Sequence, residues 1–341
     1  MQSSTLKTFT VILSLVFVYA VNSSYAADMS PDSSKPVTEQ LVDTMTQLAH
    51  GPYAGFRANH AKGIMTIGKF TPAAGDAGLS KAVHLQKAGT PVLVRFSDTT
   101  GVPNLPDADP NASPHGMAIR FTLPDGSETD IVSISANGFP ASTPEEFLGF
   151  LNAVAASGPG APKPTPIEQF LGTHPAAQKF AATPRPAPAS FATLAFYGVN
   201  AFRFTNAKGE SRYGRYRIMP AAGEHSLTEQ QAAKASPNYL MDELPARLKK
   251  GKVKFNILVQ LAEKDDVIND DTVVWPDSRS LVKLGTLSLD KVLPNSAEME
   301  KTFMYSPLNL TDGIDASDDP ILNARPAAYA ISFGRRFGGG T

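Results

Sequence analysis

Residues 319–337 read D-P-I-L-N-A-R-P-A-A-Y-A-I-S-F-G-R-R-F and predict a helix near the end of the chain. Asp319 followed by Pro320 is typical of a helix start, because an aspartate caps free amides and a proline needs no amide partner. On that helix Arg325 and Tyr329 are four residues apart and therefore lie on one face. A guanidinium beside a phenol favours the phenolate, and a ferric ion bound to the phenolate favours it further.

Two stretches far upstream carry a histidine and an arginine in patterned surroundings. Residues 56–70 read F-R-A-N-H-A-K-G-I-M-T-I-G-K-F, and the alternation after His60 predicts a strand that begins just beyond it. Residues 94–97 read V-R-F-S and end an apolar strand. Arg95 lies inside that strand, and a buried guanidinium needs an anion. We therefore expect Arg95 to serve a bound anionic group.

These three stretches carry a family resemblance. In chain order, R-x-x-H-A-K-G, V-R-F-S and R-x-x-x-Y resemble the distal segment, the neighbouring strand and the proximal segment of haem catalases. Residues 206–210 (N-A-K-G-E) and 274–276 (V-W-P) are similar to two further catalase elements. The chain is identified as a member of the catalase superfamily, similar to the small catalase-related peroxidases. The resemblance implies a catalase-like barrel with haem buried between barrel and helices.

The pattern of turns and apolar runs independently predicts an α+β fold. About eight strands, mostly joined by hairpin turns, are enough to close an antiparallel β-barrel surrounded by helices. One of them is expected at residues 272–275, and a capped helix is expected at 143–155. Residues 157–190 are rich in proline and predict a linker wrapped over the surface, with a short helical piece around 167–170. His84, in the short segment 81–88, is expected at the surface.

Composition sets the outer bounds. Residues 1–26 predict a signal peptide, 27–37 a flexible tail and 38–338 a single haem domain, so we expect an exported, periplasmic protein. The chain has no cysteine, which excludes disulfides and thiolate ligands. Its formal net charge of −1 argues against nucleic acid as a partner. We expect no membrane span in the mature chain, and a monomer or small homo-oligomer.

The resemblance implies roles for nine residues around haem b with ferric iron. His60 takes and returns the proton of peroxide, Ser97 holds its ring, and Tyr329 binds the iron. Five further residues contact the porphyrin or its propionates, and a sixth supports the tyrosine. They are Arg57, Arg95, Arg336, Phe147 and Phe150 around the porphyrin, and Arg325 beside Tyr329.

Two departures from the catalase pattern bear on the reaction. Where catalases hold a second peroxide with an asparagine, the ungapped match here is Ile134, and Asn137 matches only if the loop shifts. Where catalases have D-P-R-G, residues 113–116 read S-P-H-G. Without those groups the oxidised cofactor reacts less efficiently with another peroxide, so a small-molecule reductant can compete.

Three functions remain open from the sequence. The first is a haem peroxidase that reduces hydrogen peroxide or organic hydroperoxides with an external electron donor and has weak catalase activity. The second is a haem isomerase or dehydratase of fatty-acid hydroperoxides on the same fold. The third is an exported haem-binding protein without catalysis, which would have no use for His60 and Ser97.

Overall fold

The structure is a computed structural model that describes residues 34–74, 78–87 and 89–337. The expected signal peptide and the expected tail up to residue 33 lie outside this part of the chain. Within it, none of the helices is both long and apolar enough to cross a bilayer.

The described strands form one antiparallel sheet. In chain order they are β1 (Gly63–Pro72), β2 (Thr90–Ser97), β3 (Gly116–Thr122), β4 (Glu128–Ile134), β5 (Phe196–Tyr197), β6 (Phe202–Thr205), β7 (Ser211–Pro220), β8 (Val253–Leu261), β9 (Leu281–Val292) and β10 (Ile314–Ala316). The order β7-β5-β4-β3-β2-β1-β9-β8 returns to β7 through the β7–β8 pairing, so eight strands close into a barrel. β6 pairs with the start of β7, and β10 pairs with β6. The predicted eight-stranded antiparallel barrel is confirmed.

Apolar side chains that alternate along the strands fill the core. Phe96 on β2, Phe196 on β5 and Phe255 on β8 are fully buried. Their ring centroids lie 5.9 to 6.2 Å apart. Burying one such ring stabilises the fold by about 1.5–3 kcal/mol. Side chains from distant parts of the sequence therefore meet in one core and hold the barrel closed.

Helices surround the barrel. They are α1 (Val37–Leu48), α2 (Pro144–Ala155), α3 (Pro166–Thr173), α4 (Pro175–Ala182), α5 (Glu229–Ala232), α6 (Tyr239–Lys250), α7 (Ser296–Thr302) and α8 (Pro320–Phe337). The predicted cap of α2 is present, since the amide of Glu146 donates to Thr143 Oγ1 at 3.1 Å. Asp319 caps α8 by accepting from the amide of Leu322 at 3.1 Å. α1 packs against both α2 and α8.

Two predictions of local structure were wrong or incomplete. Residues 272–275 form a loop and not a strand, because Asp270 Oδ1 accepts from both the amide and the hydroxyl of Thr272, at 2.9 and 2.7 Å. The indole of Trp275 donates to the carbonyl of Val267 at 2.8 Å and fixes the same loop. The proline-rich segment 157–190 contains the expected short helix, as α3, and also α4, which was not predicted. Thr165 and Glu168 form a capping box that starts α3.

His84 was also predicted wrongly, since its side chain is buried. It is 2% exposed and packs against the rings of Phe70 and Phe121, with centroids at 6.2 and 4.7 Å. Burial lowers the pKa of His84 to about 4, so the ring is neutral at pH 7. A short polar segment in the sequence does not reveal that two phenylalanines from different strands pack against its histidine.

Candidate active site

A cavity of about 260 Å³ lies between the barrel and helices α1, α2 and α8. It brings together candidate residues from both ends of the chain. Those that matter most for its chemistry are His60, Ser97, Ile134, Phe147, Arg325 and Tyr329. The imidazole and the phenol that the sequence singled out therefore face one shared space.

His60 is held by both its side chain and its backbone. Ser97 Oγ lies 3.1 Å from His60 Nδ1, so Nε2 is the ring nitrogen left for a substrate. Its φ of 56° is in the left-handed region, where a non-glycine residue costs on the order of 1–3 kcal/mol. Arg95 Nη2 offsets that strain by donating to the carbonyl of His60 at 2.8 Å. Burial, and then the charge of Arg95, lower the pKa of His60 to about 3, so its ring is a neutral proton acceptor.

Two glycines make room for this arrangement. A Cβ on Gly116 would lie 2.6 Å from Ser97 Oγ and 3.0 Å from His60 Nδ1. A Cβ on Gly63, the glycine of H-A-K-G, would lie 2.6 Å from Arg95 Cζ. Any larger residue at these positions would displace the serine, the imidazole or the guanidinium.

Tyr329 receives two hydrogen bonds from one arginine, as their spacing on α8 predicts. Arg325 donates to Tyr329 Oη from Nη2 at 2.8 Å and from Nε at 3.2 Å. Its Nη1 donates to Asn200 Oδ1 at 2.8 Å. A cation and two donors at one oxygen hold the phenol in a fixed orientation on the wall of the cavity.

The sequence did not reveal the polar groups behind Arg325. Asn200 Nδ2 donates to Asp319 Oδ2 at 2.9 Å and to Asp271 Oδ2 at 3.1 Å. Burial, and then the charge of Asp319, raise the pKa of Asp271 well above its ordinary value. Asp271 lines the cavity, and its Oδ1 has no hydrogen-bond partner among the described residues. The one available signal was a polar residue between the apolar Val199 and Ala201.

Three arginines meet at the other edge of the cavity. Arg57 Nη1 and Arg95 Nε both donate to Glu300 Oε2, at 2.7 and 2.5 Å. Arg336 Nη1 donates to the carbonyl of Glu300 at 2.9 Å. Burial, and then the charge of Arg95, lower the pKa of Arg57 to about 9 and that of Arg336 to about 10. Glu300 on α7 was not predicted, because no motif marks it.

This cluster provides a direct test of whether haem fits. Three guanidiniums beside a single carboxylate leave a surplus of two positive charges, and haem carries two propionates. Within the described chain, the buried Arg336 Nε has no hydrogen-bond partner. Buried cations without anions are costly, so two carboxylates at this edge would stabilise the cluster. The residues fit a porphyrin whose propionates meet the arginines.

Four other candidates differ in their placement. Phe147 lines the cavity, whereas Phe150 stacks behind it with ring centroids 6.3 Å apart. Phe150 is not among the described residues that line the cavity, although the resemblance implies that it contacts the porphyrin or its pocket. Ile134 does line the cavity, while Asn137 is not among the described residues that do. An apolar side chain occupies the wall where an asparagine was considered.

Comparison with known proteins decides the family. The profile of the family described as Catalase matches residues 39–340. The chain belongs to the catalase family. It is 38% identical to the "Catalase-related peroxidase" of Mycolicibacterium paratuberculosis over 88% of this chain and 95% of that protein. The "Catalase-related peroxidase" of Synechococcus elongatus is 31% identical over 88% of this chain and 89% of its own length.

Solved structures agree with this catalase assignment at the level of the fold. A fungal catalase structure superimposes with a TM-score of 0.74 at 23% identity, over 88% of this chain and 62% of that one. A bacterial catalase superimposes with a TM-score of 0.72 at 22% identity, over 94% of this chain and 64% of that one. The chain thus spans less than two thirds of these catalase structures, but almost the whole of the first two relatives.

Proposed function

We propose that this chain is a haem peroxidase that reduces hydrogen peroxide, or organic hydroperoxides, with an external small-molecule donor and releases little oxygen. The observation that carries the proposal is one cavity lined by a neutral His60 and by a Tyr329 that accepts two hydrogen bonds from Arg325. The names of the two relatives described above support the peroxidase class.

Four side chains account for holding haem b. Tyr329 would ligate the iron, and the guanidiniums of Arg57, Arg95 and Arg336 would supply the charge that two propionates need. When bound, the haem supplies a ferric iron at which peroxide is cleaved. The acidic and amide groups behind Arg325 orient it towards the phenol, as outer groups orient metal ligands in general.

His60 is proposed as the proton carrier. Its neutral Nε2 accepts the proton of one peroxide oxygen and returns it to the other, so that the departing oxygen leaves as water. Ser97 holds Nδ1 and so fixes which nitrogen is free to do this. One peroxide, two electrons and two protons from the donor then balance as two waters.

The weak release of oxygen rests on Ile134. Its side chain cannot hydrogen-bond a second peroxide at the cavity wall, so a donor molecule competes for the oxidised enzyme. The test is to load the purified chain with haemin and measure oxygen release and guaiacol oxidation in the same peroxide solution. We expect donor oxidation to dominate. Vigorous oxygen release without donor turnover would contradict the proposal.

A second function is favoured by the α1 side of the cavity. Leu41, Val42 and Met45 present apolar groups there, which suit the chain of a fatty-acid hydroperoxide. Such an enzyme would rearrange the hydroperoxide into an isomer or dehydrate it without consuming a donor. Product analysis after incubation with linoleic acid hydroperoxide separates this isomerase or dehydratase from a peroxidase, which yields the corresponding alcohol.

We also propose that the chain is exported and that residues 1–26 are removed. The support is the apolar run after Lys7, with small residues at positions 24 and 26. Mass spectrometry of protein from the periplasmic fraction should give a chain that starts at Ala27.

A further inference from the structure

A second cavity, of about 290 Å³, lies beside the arginine edge of the first. We call it the side pocket. Its main lining residues are Thr46, Tyr53, Phe56, Arg57, Ser332 and Arg335. Tyr53 is 36% exposed and Phe56 is 43% exposed. The side pocket therefore presents two aromatic rings that solvent can reach.

The side pocket and the active-site cavity share a wall. Arg57, Ala58 and Ser332 line both. The amide of Ala58 donates to Ser332 Oγ at 3.1 Å, which joins the loop before His60 to α8 and closes the wall. Among the described residues, these three form the layer between the side pocket and the arginine edge of the cavity.

The lining indicates the kind of molecule that fits. Exposed aromatic rings around a concave surface are typical of ligand sites, and they favour aromatic ligands that can stack on them. The two cations of the lining already have anionic partners: Arg57 lies 2.7 Å from Glu300, and Arg335 lies 2.7 Å from Asp43. Once two propionates match the surplus positive charge of the arginine cluster, the side pocket suits an uncharged aromatic molecule better than an anion.

We propose that the side pocket binds the reductant and that the reductant is an uncharged phenol. The proposal rests on the peroxidase function proposed above, which requires a donor but does not say where it binds. Each phenol gives one electron and one proton, so two phenols and one hydrogen peroxide yield two waters and two phenoxyl radicals. The electron crosses the wall formed by Arg57, Ala58 and Ser332. The phenol stays outside the cavity of His60 and Tyr329, so it releases its proton to solvent, and the cavity takes up one proton from solvent for each electron.

The first test measures binding without turnover. Guaiacol is added to the ferric, haem-loaded protein in the absence of peroxide, and the paramagnetic broadening of its proton signals is titrated by NMR. Ala54→Trp fills the side pocket, and Phe56→Ala removes one of its rings. Leu281→Ala, which removes a 49% exposed side chain from β9, is the matched control. Cyanide binding, followed by absorbance, reports whether the main cavity of each variant is intact.

We expect Ala54→Trp to weaken guaiacol binding at least tenfold, Phe56→Ala severalfold, and Leu281→Ala not at all, with cyanide binding unchanged throughout. In turnover, KM for guaiacol should rise at least tenfold in Ala54→Trp while KM for hydrogen peroxide stays the same. The wild type should oxidise guaiacol with a lower KM than anionic ascorbate. If Ala54→Trp raised KM for ascorbate alone, the choice of an uncharged phenol would be overturned.

The outcomes separate the side pocket from the enzyme activity. If guaiacol oxidation is unaffected by Ala54→Trp, or if guaiacol competes with cyanide, the side pocket is not the donor site, although the peroxidase function stands. If the loaded wild type oxidises no donor, the proposed function fails whatever the side pocket binds. If sedimentation shows a wild-type dimer that Ala54→Trp dissociates, a second copy covers the side pocket and the proposal is overturned.

Discussion

The two ends of the active-site cavity place their functional groups in different electrostatic surroundings. At one end Ser97 holds the ring of His60 by a hydrogen bond, and burial lowers the pKa of His60 to about 3. At the other end Tyr329 accepts two hydrogen bonds from Arg325, which is itself held by Asn200. Loss of solvent keeps the imidazole neutral. At the other end, a cation held by a polar network lies against the oxygen of the phenol.

This difference matches the task proposed for each end. A group that must take and return a proton works best when it is uncharged before the reaction. A group that must hold ferric iron works best when its negative charge is compensated from behind. The experiments below remove one element of either end at a time.

Tyr329→Phe removes the proposed iron ligand and should have the largest effect. We expect haem affinity to fall by more than the roughly 10–100-fold that outer-shell changes typically cost at metal sites. The Soret band should weaken or shift, and peroxidase activity should be lost with the cofactor. Haemin titration followed by absorbance measures this, with Tyr213→Phe on β7 as the control. Unchanged affinity in Tyr329→Phe would assign the iron to another residue.

His60→Ala acts on the opposite end and should separate chemistry from binding. We expect the rate constant for reaction with peroxide to fall by about 100- to 10,000-fold, because the proton carrier is gone, while haem affinity changes little. Stopped-flow absorbance at the Soret band gives the rate. His225→Ala, at an exposed histidine, is the control. A rate within a factor of three of wild type would remove His60 from the mechanism.

Asn200→Ala tests the network behind Arg325. Asp319 and Asp271 each lose a hydrogen bond, and Arg325 is held less firmly against the phenol. We expect haem affinity to fall by about 10–100-fold, with a shifted Soret band but with the rate of the bound enzyme less affected than in His60→Ala. The same titration in Asn256→Ala, on β8, should match wild type. Equal affinities in both variants would show that the network does not support the ligand.

Ser97→Ala removes the side-chain hydrogen bond to the ring of His60. A net loss of about 0.5–1.5 kcal/mol corresponds to a roughly 2- to 12-fold slower reaction with peroxide. Ser97→Thr retains the hydroxyl and should recover part of the rate if the added methyl group is accommodated. A loss in Ser97→Ala as large as that in His60→Ala would mean that the serine does more than hold the ring.

The pH profile should show the smallest change. With a pKa of about 3, His60 stays neutral throughout the physiological range, so the rate constant with peroxide should vary less than about twofold between pH 8 and 5. A histidine with an ordinary pKa of 6.5 would lower the rate constant about thirtyfold over that range.

The unfolded chain binds the proton of His60 first, so the free energy of unfolding should fall as pH drops from about 6.5 towards 3.

Much of the fold could be read from the sequence, because turns and alternating apolar residues are local signals. His60, Ser97, Arg325 and Tyr329 were recognisable because each lies in a short motif. Glu300 was not, since it meets Arg57 and Arg95 only once α7 is placed against the barrel.

The other predictions that failed also depend on contacts that form only in the folded chain. Asp271 and Asn200 are 71 positions apart, and their contact depends on the closed barrel. Residues 272–275 resemble a strand in composition, yet hydrogen bonds to Asp270 and Val267 make them a loop. At residues 272–275, side-chain hydrogen bonds outweighed the local strand propensity, and no pattern in the sequence predicts those bonds.

The central claim is that a porphyrin lies between the imidazole of His60 and the phenol of Tyr329. A crystal structure of the haem-loaded protein tests it most directly. It should show iron bonded to Tyr329 Oη, the His60 ring over the opposite face, and the propionates against Arg57, Arg95 and Arg336. Iron ligated by any other residue, or haem bound outside this cavity, would contradict the account.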